Sequence, residues 1–209
     1  MKKTLTVIIA LVLVVVMSVA GTVAYLTSTD TVINTFTVGN VQIKLDEAQA
    51  NPDGSLVANA DRVKANSYKL LPGHTYNKDP MVTVLNGSES SYIKMTVTFS
   101  KANELDAIFD PDGATLTTIF NGYDSSNWTY KGNTKNAADN TRTYEFWYKE
   151  AVAAPDGNVA LDALFDSITV PGSITNEQLK TIEGMTITVN AYAIQADGFT
   201  DAADAWSKY

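Results

Sequence analysis

The chain has 209 residues, no cysteine, one histidine (His74), and 23 acidic against 15 basic side chains, for a net charge of −8. Without Cys there is no disulfide framework, iron–sulfur cluster or thiolate zinc site. One His cannot supply the imidazoles that catalytic zinc usually takes, and a Ser-His-Asp triad would rest on His74 alone. The acidic balance excludes nucleic acid as an expected partner, and the length suits one domain or two small ones.

The first 24 residues have the layout of a secretory leader. Lys2 and Lys3 precede an uncharged apolar run, Thr4 to Met17, and a small-residue stretch from Ser18 to Ala24. The run is short for a bilayer span, so the expectation is removal after Ala20 or Ala24, with membrane contact only through the uncleaved leader. Cutting after Ala24 leaves 185 residues and a net charge of −10. A chain exported without disulfides must be held by its core. Ten Tyr, seven Phe and three Trp make that feasible.

From Tyr25 to Asn34 the sequence is rich in β-branched residues and free of Pro and Gly. Such a segment suits a sheet edge, either that of its own domain or that of a neighbour by strand addition. Beyond it, 22 Thr and 16 Asn from residue 25 onward favour strands and turns. Period-2 alternation predicts strands at Val41-Ile43-Leu45, Met95-Val97-Phe99 and Met185-Ile187-Val189-Ala191. Val82 to Leu85 and Thr143 to Tyr148 are further candidates, with Thr169-Val170 a short edge piece. Pro-Asp-Gly occurs at 52–54, 111–113 and 155–157, where Pro presets φ and Gly accepts a positive one. Asn86-Gly87, Asn121-Gly122 and Lys131-Gly132-Asn133 also read as turns.

Three stretches predict helices. Ser100 caps a segment with Leu105, Ile108 and Phe109 on one face, and Asn158 caps Val159 to Ser167 with Leu161, Leu164 and Phe165 inward. Thr175 opens a capping box with Gln178 that ends before Gly184. The tail from Thr200 to Tyr209 is polar apart from Trp206 and reads as loosely docked or frayed. The fold class is therefore all-β, an antiparallel jelly-roll-like β-sandwich with short helical insertions. The plan is a leader at 1–24, an extended segment at 25–40, a sandwich at 41–199 and a polar tail at 200–209.

Catalytic motifs are missing: there is no G-x-S-x-G, H-E-x-x-H or Gly-rich phosphate loop. Asp110 and Asp112 have Asp-x-Asp spacing and are weak metal candidates, but residue 12 of an EF-hand loop would be Asn121, so a plain turn is expected. The carboxylate pairs Asp46/Glu47 and Asp162/Asp166 read as solvated surface rather than a glycosidase pair. Trp128, Tyr130, Trp147 and Tyr148 suit core and cross-strand packing better than a sugar platform. His74, after Leu71-Pro72-Gly73, reads as part of a surface turn. No catalytic residue and no cofactor are assigned.

The segment Gly21 to Thr27 (GTVAYLT), followed by Asn34 to Val41 (NTFTVGNV), resembles the N-terminal signature of the TasA/camelysin family of exported Gram-positive proteins. Leu71-Pro72-Gly73 leading to the Val82 strand, Asn86-Gly87 with the Ile93 to Phe99 strand, and the closing Ile187 to Ala193 strand with Ile194 to Phe199 are similar landmarks. Ala102 to Pro171 matches none. The resemblance implies a jelly-roll-like subunit of extracellular biofilm-matrix fibres, secreted and processed by a SipW-type signal peptidase. Its partners would be copies of itself or a homologous fibre subunit. It places cleavage between Ala24 and Tyr25 and a donor strand at about Tyr25 to Asn34, with Leu26, Ser28, Asp30, Val32 and Ile33 as donor residues. The leader would block insertion until removed. The family also implies a rival function, a camelysin-like surface metallopeptidase. One His and no Cys argue against that chemistry. A monomeric glycan-binding module using Trp128 and Trp147 is the third reading. No LPxTG-type signal closes the sequence, so covalent wall sorting is not expected.

Overall fold

Alternation of Thr with Met, Val, Ile and Phe is what one half-buried strand needs on each side of its pleat, and it runs longest in the strand on which the fold is built. In the computed structural model, which describes residues 39–109 and 116–209, this is β4, Ser88–Ser100. Ile93, Met95 and Val97 are wholly buried and Phe99 nearly so. Thr96 and Thr98 face the other way; the Thr98 hydroxyl is 2.9 Å from that of Thr143 on the neighbouring strand. The chain divides into two units, Met1–Val38 and Gly39–Tyr209, and all described residues belong to the second.

Among the described residues the strands form three antiparallel sheets. β1 (Ile43–Asp46), β3 (Met81–Val84) and β8 (Val159–Ala160) run in the order β1-β3-β8. The larger sheet runs β10-β4-β6-β5, with β5 at Trp128–Asn136, β6 at Thr141–Tyr148 and β10 at Ile187–Gln195. β7 (Val152–Ala154) pairs with the start of β4. β2 (Thr75–Asn77) pairs with β9 (Ser167–Thr169). This is an antiparallel β-sandwich with short helices, as alternation and composition led one to expect. The helices are α1 (Ala102–Phe109), α2 (Leu116–Ile119), α3 (Asn176–Thr181) and α4 (Ala202–Lys208).

The core joins Val82 and Val84 of the small sheet to the inner face of the large one. At its centre Phe120 meets Phe99, Tyr144, Phe146 and Phe165 at ring separations of 4.7 to 5.9 Å. Trp128 is also core. Its indole N–H donates to the Asp162 carbonyl and its ring meets Tyr148 edge-on at 5.0 Å.

Local chemistry settles several ends. The Thr175 capping box forms as expected, with Gln178 N–H donating to the Thr175 hydroxyl. Ser100, by contrast, is the last residue of β4 and caps nothing. The α1 terminus is satisfied from across the sheet, where Asn140 accepts from Ala102 N–H and Asn103 N–H. Leu105 is buried and Ile108 and Phe109 pack on the core, so the predicted face is right.

The helix expected at Val159–Ser167 does not form. Leu161, Leu164 and Phe165 are buried, yet the backbone there is irregular and bent rather than helical, with Leu161 and Leu164 N–H donating to Val82 and Pro80 carbonyls. Gly132 is not in a turn but at a bulge inside β5. The C-terminal tail is docked, not frayed. Asp201 caps α4, Ala205 and Trp206 are buried, and the Lys94 ammonium lies 4.4 Å from the Trp206 ring centroid. The Trp206 indole N–H is buried without a partner.

The Pro-Asp-Gly turns are not equivalent. Gly54 has φ +89°, and a Cβ there would stand 2.6 Å from the Thr75 carbonyl oxygen and 2.7 Å from Tyr76 Cα. Gly157 has no positive φ and open space around it, against the expectation that all three Gly adopt one. Gly54→Ala therefore costs on the order of 2–4 kcal/mol, whereas Gly157→Ala stays within about 0.5 kcal/mol. Urea unfolding of the two variants checks this, and equal losses would contradict the close approach.

Candidate functional site: an unguarded sheet edge above an apolar groove

β10 reads Ile-Thr-Val-Asn-Ala-Tyr-Ala-Ile-Gln, without Pro, Gly or charge. Its register places Ile187, Val189, Ala191 and Ala193 opposite Phe99, Val97, Met95 and Ile93, so these four face the core side. They stay half-buried where their partners on β4 are buried. Among the described residues no further strand covers them.

The backbone says the same. Ser100 N–H donates to Thr186 O, and Ala196 N–H to Ser90 O. In an antiparallel ladder the bonded pairs alternate, so the even residues of β10 serve β4 and the odd ones, 187 to 195, turn their N–H and C=O away. Among the described residues no strand pairs with that side.

The edge of β1 lies nearby, with Cα atoms within 8 Å of β10, but the two strands belong to different sheets. Between them opens a groove of about 1160 Å³, bordered by Leu45, Tyr68 and Leu70 on one side and Ile187 and Val189 on the other. Phe99, Leu105, Ile168 and Val170 also line it, so it reaches the sandwich interior.

Other edges are guarded. β5 carries Lys131 and Lys135 and the bulge at Gly132, β8 has two residues, and both features discourage pairing. On β1, Glu47 exchanges backbone bonds with Val63, and Lys64 Nζ donates to the Leu45 carbonyl. β10 alone among these carries no such device.

The β1 end of the groove is charged. Asp46 and Glu47 are 4% and 6% exposed, which corrects their reading as solvated surface. Arg62 explains half of this: its Nε donates to Asp46 Oδ1 at 2.6 Å and its Nη1 to Asp79 Oδ2 at 2.8 Å. Lys44 adds a contact to Asp46 at 2.7 Å. Burial pushes the Asp46 carboxyl up, but the bonds from Lys44 and Arg62 outweigh it and hold it below its ordinary value of 3.8. Lys78 explains the rest, pairing with Glu47 at 2.5 Å. Arg62 and Lys78 lie far along the chain from 46–47, and sequence reasoning did not find them. The signal available was a charged pair placed directly after a period-2 strand. Asp162 and Asp166 are exposed, as expected.

The leader, its cleavage point at Ala24 and Tyr25, the donor residues Leu26, Ser28, Asp30, Val32 and Ile33, and the metal candidates Asp110 and Asp112 lie outside the described residues. His74 is exposed in the turn after Gly73. The four aromatics do not form one platform. Trp128 is buried on the core side, while Trp147 is on the other face, 6.5 Å from Trp206 and under Lys131. Among the described residues no group of three or more His, Asp or Glu could hold a metal ion. No protein-family profile, curated protein or solved structure matches the chain.

Because the folded value of Asp46 is depressed, its contribution is present above the ordinary value and lost as pH falls through the lower folded one. Stability in urea should be flat from pH 7 to about 5 and fall below about pH 4. Asp46→Asn should cost on the order of 3 kcal/mol at neutral pH and make the acid limb shallower. An unchanged acid limb would assign it to other carboxylates.

Proposed function

We propose that this chain is an exported structural subunit that assembles into extracellular fibres of the biofilm matrix by strand addition. The acceptor is the outer edge of β10 with the groove beneath it. The donor is the Tyr25 to Asn34 segment of a second copy or of a homologous subunit, released when a SipW-type peptidase cuts after Ala24. One observation carries this reading: nine residues of edge strand, apolar on the core side and free of charge, Pro and bulge, face a groove open to the interior.

The energetics favour an incoming strand over water. Each new ladder bond contributes a net of about 0.5–1.5 kcal/mol, and each Val, Ile or Leu seated in the groove about 1.5–3 kcal/mol. Alternate donor side chains enter and the others stay out, so a slip of one residue reverses the pattern and register is fixed. The contact joins one surface of a subunit to a different surface of the next. It does not close on itself, and a filament results.

The test is negative-stain electron microscopy of protein that begins at Tyr25. It should form filaments, and removal of residues 25–34 should leave folded monomers. Ala191→Pro removes one outward N–H without touching the ladder to β4 and should also abolish filaments. Filaments from the truncated protein would sink the donor-strand mechanism. Filaments from Ala191→Pro alone would move the acceptor to another edge.

A further inference from the structure

One carboxylate in the charged cluster bridges an amine and a carboxamide. Glu47 Oε2 is 2.5 Å from Lys78 Nζ, and Glu47 Oε1 accepts from Asn66 Nδ2 at 3.0 Å. Lys78 is 8% exposed and Glu47 6%. The Asn66 amide is fixed by two further bonds: Nδ2 donates to the Ala48 carbonyl at 2.8 Å, and Oδ1 accepts from Ala50 N–H at 2.8 Å.

A buried Lys–Glu pair is a poor stabilising device, because removing both charges from water costs about what their attraction returns. The same three groups are well chosen for acyl transfer. Ala50 N–H sits where negative charge develops on Oδ1 when a nucleophile attacks Cγ. Glu47 touches both the attacking amine and the departing nitrogen, as a general acid and base must. Lys78 is buried, which shields the attacking amine from water.

We propose that Lys78 and Asn66 are joined by a self-formed isopeptide bond, with Glu47 as the proton relay. A proton passes from the Lys78 ammonium to Glu47, and the freed lone pair attacks Asn66 Cγ, forming the Nζ–Cγ bond. The tetrahedral oxygen is held by Ala50 N–H. Glu47 gives its proton to Nδ2 and the Cγ–Nδ2 bond breaks. The second Nζ proton passes to Glu47 and ammonia departs. No oxidant, nucleotide or metal enters the balance: ammonium, carboxylate and carboxamide become amide, carboxylic acid and ammonia.

The bond fastens residues 64–70, which wall the groove, to the link between β2 and β3. Cross-linking residues 66 and 78 removes freedom from the unfolded chain, as a disulfide would, in a sequence without cysteine.

Intact mass and tandem mapping of the purified folded chain test this. The protein should be lighter by one ammonia than its own N-terminus and sequence require, and a branched peptide should link residues 66 and 78. Lys78→Arg and Glu47→Gln should carry the full mass while keeping a β-type circular dichroism spectrum. Full mass in the wild type would overturn the proposal. An ammonia deficit that persists in Lys78→Arg would do so too, because it marks cyclisation at an Asn instead. If Glu47→Gln does not fold, the wild-type map decides alone: the branched peptide upholds the bond, and separate unlinked peptides containing Asn66 and Lys78 refute it.

Discussion

Every backbone N–H and C=O that β10 turns away from β4 has to be met by something, and the strand order of the large sheet decides by what. An antiparallel sheet that does not close leaves two edges. Here one edge is β5, which bears lysines and a bulge, and the other is β10, which bears neither. That asymmetry reaches into the core. The four residues of β10 that face inward are half-buried, with no further strand paired beside them among the described residues, and the groove below is lined by Leu105, Ile168 and Val170. Edge and groove are one feature, an open side of the sandwich.

The rest of the molecule holds that side in shape without filling it. The aromatic cluster around Phe120 locks β4 to β6 and to the 161–165 segment, so the floor does not collapse. The Arg62–Asp46 ion pair and the hydrogen bond from Asn66 to Glu47 anchor the 62–70 segment to the end of β1, making a wall that is not itself a strand. α3 and α1 cover the far end, their apolar residues Leu179 and Leu105 turned toward the groove. A pocket built this way is kept open by the packing around it.

How much of this was legible depends on the range over which each signal acts. Met95-Val97-Phe99 and Ile187-Val189-Ala191 were readable as strands because period-2 burial is local. The Thr175 box was readable because both partners lie three residues apart. Leu161, Leu164 and Phe165 misled because i, i+3, i+4 spacing fits a helix face as well as it fits three side chains dropping into a core from an irregular, bent chain. The long β5 was missed because Gly132, its bulge, resembles a turn residue. Trp206 seemed part of a polar tail because its partner, Lys94, is more than a hundred residues away. Asp46 and Glu47 were misjudged for the same reason. The fold class was therefore visible and the place of β10 at the end of its sheet was not, since whether a strand is central or terminal is a property of the whole topology.

Under the proposed function, a donor and an acceptor on one chain raise a physical problem before assembly. An apolar edge left open in solution attracts any extended segment, and the β-branched sequence of residues 25–34 suits that kind of pairing. Guarding β10 with a lysine would suppress wrong pairing and right pairing alike, because both use the same backbone groups. The guards sit instead on the other edges, where they cost the intended contact nothing. Control of the intended one must then lie outside the acceptor, in when the donor becomes available. In the proposed assembly that is the role of the removable leader, and the timing of one cleavage, rather than the strength of any contact, would then separate a stored subunit from an assembling one.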